Sequence, residues 1–288
     1  MSISFFADCT VLITGASAGI GREFARQLAP AVSTMILVAR RSDRLEALEL
    51  ELKIINPALD VFSRQLDLRD HAGLEKLCDW LGESGLTVDL LVNNAGLGDR
   101  GEFIDSDWER VSSMLQVNIE SMTYLTYRIL PSMRKSDCGA ILNVSSVASL
   151  MPVPHMAVYA ATKAYVTSFS ESLRAELRAM NISVTAICPG PVVTEFEYVS
   201  GRTGQSSPTP QTHGFFTVPV QEVVRKGLEA VSRDKARVIP GVPIQLAIAA
   251  FAFIPMFIKR VVLNAYAVRQ TESSKSSPHP DYEVSGRV

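Results

Sequence analysis

The sequence predicts an α/β fold, in which helices cover both faces of a doubly wound parallel sheet of about seven strands. Apolar runs of strand length alternate along the chain with longer segments of helical period. Several of the strand runs, such as 34–39 and 140–144, are apolar at nearly every position, which indicates burial on both faces of the sheet. With 288 residues, 47% of them hydrophobic, the chain can bury one sizeable core.

Seven short apolar runs predict the strands in chain order. They lie at residues 10–13, 34–39, 61–65, 90–92, 140–144, 183–187 and 237–239. The intervals between them have helical period. In segment 43–55, for example, the apolar residues Leu45, Leu48, Leu52 and Ile55 recur every three or four positions. Longer helices are predicted at 107–133 and 157–180, so strands and helices alternate as in a parallel sheet.

The chain is predicted to form one domain with a lid and an extension. Residues 1–240 carry the nucleotide-binding and catalytic part, within which the polar, Gly/Ser/Pro-rich loop 195–217 predicts a lid. Residues 241–269 form an apolar helical extension of the same domain. Residues 270–288 hold few large apolar side chains, so we expect a disordered tail.

Composition limits the classes of partner and the cellular compartment. The net charge of -2 gives no basic excess for binding nucleic acid. The cysteines, Cys9, Cys78, Cys138 and Cys188, and the four histidines lack the spacing of metal ligands, so we expect no metal and reduced thiols. The N-terminal residues lack the basic start and long apolar stretch of a secretory signal, which predicts a cytoplasmic protein.

A glycine-rich turn follows the first predicted strand and opens a helix. Its glycines have the spacing G-x-x-x-G-x-G. Glycine lets the backbone turn sharply and approach a pyrophosphate, while the free amides at the start of the helix attract its charge. The residues predicted to bind a dinucleotide here are Gly15, Ser17, Ala18, Gly19, Ile20 and Gly21.

Two arginines at the end of the second predicted strand indicate which dinucleotide binds. A fold that prefers NAD places an acidic residue there, against the ribose hydroxyls. Arg40 and Arg41 stand in its place. Because a guanidinium binds phosphate through paired hydrogen bonds, we assign Arg40, with help from Arg41, to the 2′-phosphate of NADP.

Tyr159 and Lys163 lie four residues apart on the predicted helix 157–180 and so share one of its faces. Such a pair alone is common and usually structural. Here it occurs together with several other motifs, and the chain as a whole resembles the short-chain dehydrogenase/reductase family in its single-domain form, which has a Rossmann fold. The matching residues, spread over 14–194, are Thr14 to Gly21, Asp67-Leu68, Asn93-Asn94-Ala95-Gly96, Asn118, Ser145-Ser146, Tyr159 with Lys163, and Pro189-Gly190 with Thr194.

The resemblance implies a catalytic role for four residues. Tyr159 would donate a proton to the substrate oxygen in reduction and accept one in oxidation. A free tyrosine, with a pKa near ~10, is a poor base at neutral pH, so the ammonium of Lys163 is needed to favour the phenolate. Ser146, about a dozen residues before the tyrosine, is expected to bind the carbonyl, with Ser145 as the alternative. Asn118 is expected to hold a water that links Lys163 to solvent.

The resemblance also assigns cofactor contacts beyond the glycine turn. Asp67 would accept a hydrogen bond from the adenine amino group, and the Leu68 amide would contact an adenine ring nitrogen. Lys163 would hold the nicotinamide ribose. The other expected contacts are Asn94, Ala95 and Gly96 beside the adenosine, Pro189, Gly190, Val192 and Thr194 along the nicotinamide, and Asn118 and Tyr159 beside the catalytic lysine.

The substrate is predicted to be a hydrophobic ketone or secondary alcohol. Ligands in this fold lie beyond the carboxyl ends of the strands. The segments expected there carry Leu97, Phe103, Leu150, Met151, Val153, Met156, Phe196, Tyr198, Phe215 and Phe216. Two alternatives remain open: a 3-oxoacyl reductase acting on a carrier-linked chain, for which Arg100 and Arg202 offer a small basic patch, and a cofactor-binding sensor or scaffold without turnover.

The extension at 241–269 has three interpretations. Its first part is an uncharged run that is interrupted by Pro255 and ends before Lys259 and Arg260. This run is too short to span a bilayer. It covers the substrate pocket, forms a subunit interface, or makes peripheral contact with a membrane. We favour the first two together. The family resemblance further implies a homodimer or homotetramer.

Overall fold

The computed structural model describes residues 3–134, 139–202 and 217–276. Seven parallel strands form one sheet: β1 (Thr10–Thr14), β2 (Thr34–Ala39), β3 (Asp60–Gln65), β4 (Leu90–Asn93), β5 (Ala140–Val144), β6 (Ser183–Ile187) and β7 (Arg237–Val238). Their spatial order is β3-β2-β1-β4-β5-β6-β7. Each predicted strand is present within one residue of its predicted bounds, so the predicted sheet is confirmed.

Helices connect the strands and cover both faces of the sheet. The first five are α1 (Gly19–Leu28), α2 (Ser42–Ile55), α3 (His71–Glu83), α4 (Trp108–Leu115) and α5 (Met122–Met133). The later ones are α6 (Ala157–Leu177), α7 (Glu195–Ser200), α8 (Val220–Ser232), α9 (Val242–Phe253) and α10 (Met256–Ser276). A π-helical turn, Gln116–Ser121, joins α4 to α5.

The core is divided by the sheet into two layers, because successive strand residues point to opposite faces. On β1, Val11 and Ile13 pack towards α1, α2 and α8, whereas Leu12 packs towards α3, α5 and α6. All three side chains are fully buried. The apolar spacing predicted on α2 is explained by this packing. Leu45, Leu48 and Leu52 are buried in the same layer as Val11 and Ile13.

The order of the strands places a cleft at the centre of the sheet. The chain proceeds outward from β1 in one direction as far as β3, then returns to β4 on the other side of β1. The loops after β1 and β4 therefore leave the sheet towards opposite faces, and a crevice opens between them. The residues assigned to the cofactor follow these strand ends.

The predicted lid and tail differ in part from the structure. The first residues of the lid form the short helix α7, and residues 203–216, including Phe215 and Phe216, lie outside the described residues. The helix α10 continues to Ser276, so the structured part of the chain extends into the predicted tail, whose residues 277–288 are not described. Cys9, Cys78 and Cys188 are buried and are not part of a disulfide, and Cys138 is outside the described residues.

The extension folds as two helices, α9 and α10, separated at Ile254 and Pro255. Proline cannot donate a backbone hydrogen bond, which explains the break. Among the described helices, none is both long and apolar enough to cross a membrane.

Candidate active site

A cavity of about 550 Å³ opens at the carboxyl ends of the strands. The predicted site residues that line it are Gly15, Ser17, Ala18, Gly19, Ile20, Arg40, Arg41, Asp67, Leu68, Asn94, Ala95, Gly96, Ser146, Tyr159, Lys163, Pro189, Gly190, Val192 and Thr194. Gly21 and Asn118 lie just behind this surface. The structure therefore gathers residues from six strand ends around one cavity.

Three positions of the glycine turn require glycine. Gly15 and Gly19 have positive φ angles of 66° and 52°. A Cβ atom on Gly21 would lie 2.4 Å from the side-chain nitrogen Nδ2 of Asn94 and 2.4 Å from the Gly15 carbonyl oxygen. No side chain caps the start of α1 at Ala18, which leaves backbone amides directed at the cavity. This loop fits a pyrophosphate.

Thr14 and Asn94 hold the glycine turn against β4. The Thr14 hydroxyl accepts hydrogen bonds from the backbone amides of Asn94 and Ala95, both at 3.1 Å. In return, the Asn94 side-chain amide donates to the Thr14 carbonyl oxygen at 2.9 Å. These bonds join the two strand ends at the central cleft, so Asn94 supports the loop as well as lining the cavity.

Arginines at the end of β2 and the start of α2 form a cationic corner of the cavity. Arg41 donates to Glu195 at 3.0 Å and to the hydroxyl of Ser17 at 3.4 Å. Arg44 donates to the same Glu195 carboxylate at 2.5 Å. The corner suits the phosphate of NADP. Arg44 was not predicted. Its spacing of three to four residues from Arg40 and Arg41 could have indicated that it lies near them.

Asp67 lines the adenine end of the cavity and is held by Arg69. The Arg69 guanidinium donates to both carboxylate oxygens at 2.8 to 3.2 Å. Hydrogen bonding to Arg69 lowers the pKa of Asp67. Asp67 therefore stays ionised and available as an acceptor, while part of its hydrogen-bonding capacity is already in use.

Tyr159 and Lys163 project from α6 into the inner part of the cavity, and both are buried. Burial raises the pKa of Tyr159 to about 12, and a hydrogen bond with Ser146 opposes this shift. Burial lowers the pKa of Lys163 to about 8. The Lys163 ammonium donates to the Val144 carbonyl oxygen at 2.8 Å and lies 5.9 Å from the centre of the Tyr159 ring.

The two candidate serines have different environments. Ser145 is buried, and its hydroxyl donates to the Lys163 carbonyl oxygen at 2.9 Å and lies 2.7 Å from the hydroxyl of Thr167. Ser146 lines the cavity together with Tyr159 and accepts a bond from the backbone amide of Ala148 at 3.1 Å. The geometry thus supports the expectation that Ser146, rather than Ser145, meets the substrate.

Asn118 lies in the π-helical turn, behind the cavity surface. Its side chain exchanges two hydrogen bonds with the backbone of Leu97, at 2.8 and 2.9 Å, and donates to Thr162 at 2.9 Å. A Cβ atom on Gly96 would lie 3.2 Å from the Lys163 ammonium and 3.3 Å from the Asn118 oxygen. The side chain of Asn118 therefore anchors the loop after β4, and its expected role in holding a water stays a prediction.

The substrate end of the cavity is apolar, but not all the predicted residues line it. Leu97, Met151, Val153, Met156 and Phe196 do so, and the Phe196 ring packs 5.6 Å from that of Tyr159. Phe103 and Tyr198 are instead more than half exposed, and Leu150 is not part of the wall. Those residues were predicted from segment position alone, which does not determine the direction of a side chain.

An ion cluster around the buried Asp99 holds the far end of α7, and no local sequence pattern predicts it. Asp99, only 7% exposed, accepts two bonds from Arg202, at 3.1 and 2.7 Å. Arg110 lies 3.3 Å from the same carboxylate and donates to the Val199 carbonyl oxygen. Arg202 is therefore committed to Asp99 and does not contribute to the basic patch that was considered for a carrier protein.

The fold and the site define a nucleotide-dependent oxidoreductase. The family model of the short chain dehydrogenases matches residues 9–203, and the chain belongs to this family. Sulfoacetaldehyde reductase 2 of Chromohalobacter salexigens is 39% identical over 199 residues, 67% of this chain and 76% of that protein. The NADP-dependent 3-hydroxy acid dehydrogenase YdfG of Salmonella typhi is 38% identical over 194 residues, 66% of this chain and 75% of that protein.

Among solved structures, the chain resembles a short-chain dehydrogenase from Sphingobium yanoikuyae in complex with NADPH. The two share 28% identity with a TM-score of 0.71, covering 97% of this chain and 98% of the other. The enzyme is an NADP-dependent dehydrogenase/reductase acting on CH–OH groups, as predicted. The alternative of a sensor without turnover finds no support in these relatives.

Proposed function

We propose that this enzyme transfers a hydride between NADP(H) and a hydrophobic ketone or secondary alcohol, with Tyr159 as the acid and base. One observation carries the proposal: the side chains of Tyr159 and Ser146 line the same cavity, at the point where its apolar end meets the cofactor residues. A carbonyl oxygen placed between these two hydroxyl groups would receive a hydrogen bond from Ser146 and a proton from Tyr159.

The residues around the cavity fit NADP. Gly15, Gly19 and Gly21 leave room for the pyrophosphate, and the uncapped start of α1 supplies amides and a favourable dipole. Arg40, Arg41 and Arg44 would hold the 2′-phosphate. When bound, NADPH supplies the hydride.

The protein's own residues manage the proton. The Tyr159 hydroxyl stays protonated at neutral pH because burial raises its pKa, so it can donate to a developing alkoxide. Lys163 remains mostly protonated at pH 7, since its pKa is about 8. Its ammonium, close to the Tyr159 ring, would stabilise the phenolate that remains after proton transfer.

The apolar wall supports a hydrophobic substrate. Leu97, Val153, Met156 and Phe196 surround Tyr159, which leaves few polar groups near the reacting atoms to solvate a hydrophilic substrate. Burial of an apolar substituent here would contribute about 25 cal/mol for each Å² removed from water. Bulk and hydrophobicity next to the carbonyl are therefore expected to raise kcat/KM.

A second candidate is a small carbonyl compound with an acidic group. Arg100 lines the same cavity, and its backbone amide bonds the Ser200 carbonyl oxygen at the end of α7. A guanidinium there would pair with a carboxylate or sulfonate. The names of the two relatives, a sulfoacetaldehyde reductase and a 3-hydroxy acid dehydrogenase, refer to compounds of this kind.

The test measures NADPH oxidation with pairs of carbonyl compounds of similar size, one apolar and one bearing a carboxylate or sulfonate. We expect a higher kcat/KM for the apolar member and no loss in Arg100→Ala. A preference for the acidic member that disappears in Arg100→Ala would support the second candidate and contradict the first. The predicted dimer or tetramer and the predicted cytoplasmic location stay predictions.

A further inference from the structure

The C-terminal helix pair, residues 242–269 of α9 and α10, exposes many large apolar side chains. The exposed fraction is 90% for Phe253, 68% for Phe257, 67% for Val261 and 65% for Leu246. Ile244 is the only buried residue of the pair among those whose side chains are described. An apolar surface this extended usually marks a site of interaction.

The helix pair has a defined inner and outer side. On α9, Ile244, Ile248 and Phe251 are the less exposed apolar positions, spaced four and three residues apart. On α10 the corresponding positions are Lys259, Leu263 and Ala267, four residues apart. Residues at this spacing share one helix face. Each helix therefore has one less exposed face, and its other positions, most of them apolar, remain exposed.

The charges of this segment have one sign. Between Asp234 and Glu272 the chain contains no acidic residue, whereas the helix pair carries Lys259, Arg260 and Arg269. Arg260 and Arg269 are exposed, and the Lys259 ammonium lies 4.6 Å from the centre of the Phe251 ring. A second copy of the same face would bring its own cations and no carboxylate, which opposes self-association. An anionic surface would neutralise them.

Over the described residues, neither helix of the pair is both long and apolar enough to span a bilayer. The 12 residues of α9 extend about 18 Å at 1.5 Å each, short of the ~30 Å hydrocarbon layer, and Pro255 ends the helical run. Exposed apolar residues beside arginines suit the boundary between headgroups and acyl chains.

The helix pair also lies beside the substrate cavity. His155 stands between Val153 and Met156, which line the cavity, and its Nε2 atom is 3.4 Å from the Ala267 carbonyl oxygen. Among the described residues, none from α9 or α10 lines the cavity itself. The favoured interpretation of this extension as a pocket cover is therefore not supported, because α10 reaches only the outer side of the wall.

We propose that the C-terminal helix pair docks the enzyme on an anionic lipid surface. Phe253 and Phe257 enter the acyl boundary, and Arg260 and Arg269 contact phosphate headgroups. This docking does not depend on the identity of the substrate or on the catalytic role of Tyr159.

Flotation of the full chain with lipid vesicles tests the proposal. Vesicles contain phosphatidylcholine alone or with a minority of phosphatidylglycerol. We expect flotation with the anionic vesicles and much less with the neutral ones. The double variant Phe253→Asp/Phe257→Asp should lower the bound fraction about tenfold or more, because two apolar side chains no longer leave water. Arg260→Gln/Arg269→Gln should weaken binding to the anionic vesicles alone.

Ile54→Asp is the matched control, since Ile54 is an apolar residue of α2 with 83% exposure, remote in sequence from the helix pair. It should float like the unmodified enzyme, and NADPH oxidation with a water-soluble carbonyl compound should be unchanged in all variants. Absence of flotation, or equal flotation of the double Asp variant, would overturn the proposal. So would a lower subunit number for that variant in analytical ultracentrifugation, which would assign the face to a second copy of the chain.

Discussion

The carboxylate of Glu195 pairs with Arg41 and Arg44 across the mouth of the cofactor cavity, at 3.0 and 2.5 Å. Glu195 is the first residue of α7, and both arginines belong to the corner assigned to the NADP phosphate. Hydrogen bonds from Arg44 and then Arg41 lower the pKa of Glu195, so this carboxylate is charged at neutral pH. A cofactor phosphate and Glu195 would therefore compete for the same guanidinium groups.

This competition predicts that Glu195→Gln binds NADPH more tightly. All three side chains are more than one-third exposed, so the ion pairs are worth at most about 1 kcal/mol and the gain in affinity is at most about fivefold. Fluorescence titration measures both cofactors, and NADH, which lacks the phosphate, should bind unchanged. Glu197→Gln is the control on the same helix. Equal gains for NADPH and NADH would show that the effect does not involve the phosphate.

Arg40→Asp is expected to reverse the cofactor preference. The new carboxylate would repel the 2′-phosphate and accept bonds from the ribose hydroxyls of NADH. Loss of one charge-assisted interaction, about 1.5 to 3 kcal/mol, should raise the Kd of NADPH roughly 10- to 100-fold. Arg44→Ala is the comparison. Arg44 is the third residue of α2 and lies beside the same corner, and its loss should weaken NADPH binding less. An unchanged preference for NADPH in Arg40→Asp would remove Arg40 from the phosphate site.

The pKa of Lys163 predicts how ketone reduction depends on pH. Burial lowers this pKa to about 8, so the ammonium is present below that pH and is lost as the pH rises through it. Tyr159, with a pKa near 12, remains protonated over the same interval. We therefore expect kcat/KM for reduction to be constant below about pH 8 and to fall above it.

Lys163→Arg separates this effect from other titrations, because a guanidinium stays charged throughout the range. The activity of this variant will be lower, but its decline near pH 8 should disappear. A decline that persists in Lys163→Arg would assign the titration to a different group.

We expect the ion cluster at Asp99, which holds the end of α7, to contribute to the free energy of unfolding. Asp99→Asn would remove the charge-assisted hydrogen bonds of Arg202 to its carboxylate, at a cost of about 1.5 to 3 kcal/mol. Urea denaturation measures the free energy of unfolding. Glu83→Gln, an exposed carboxylate at the end of α3 and outside the cluster, is the control and should change it little. A similarly small effect of Asp99→Asn would show that the cluster contributes little.

The five inner strands of the sheet were predictable because they are buried on both faces and therefore appear in the sequence as short apolar runs. The glycine turn was equally clear, since Gly15, Gly19 and Gly21 are required by positive φ angles or by close contacts. The helical spacing of Tyr159 and Lys163 became informative only together with the other family motifs. Those motifs also assigned Ser146, which lines the same cavity as Tyr159.

The features that were not predicted depend on residues far apart in the chain. Glu195 and Arg44 are separated by 151 positions, and Asp99 and Arg202 by 103, so no local pattern relates them. The π-helical turn at Asn118 interrupts the helical period in a stretch that the sequence suggested was one continuous helix. Phe103 and Tyr198 were wrongly placed in the cavity because the position of a segment does not determine the direction in which each side chain points.

The central claim is that Tyr159 supplies the proton in NADPH-dependent carbonyl reduction. The most direct measurement compares the unmodified enzyme with Tyr159→Phe, recording the Kd of NADPH and the single-turnover rate with a hydrophobic ketone. We predict an unchanged Kd and a rate lowered about 10²- to 10⁴-fold, because the ring keeps its packing while the acid is lost. A Tyr159→Phe rate close to that of the unmodified enzyme would contradict the account and show that the proton comes from another group.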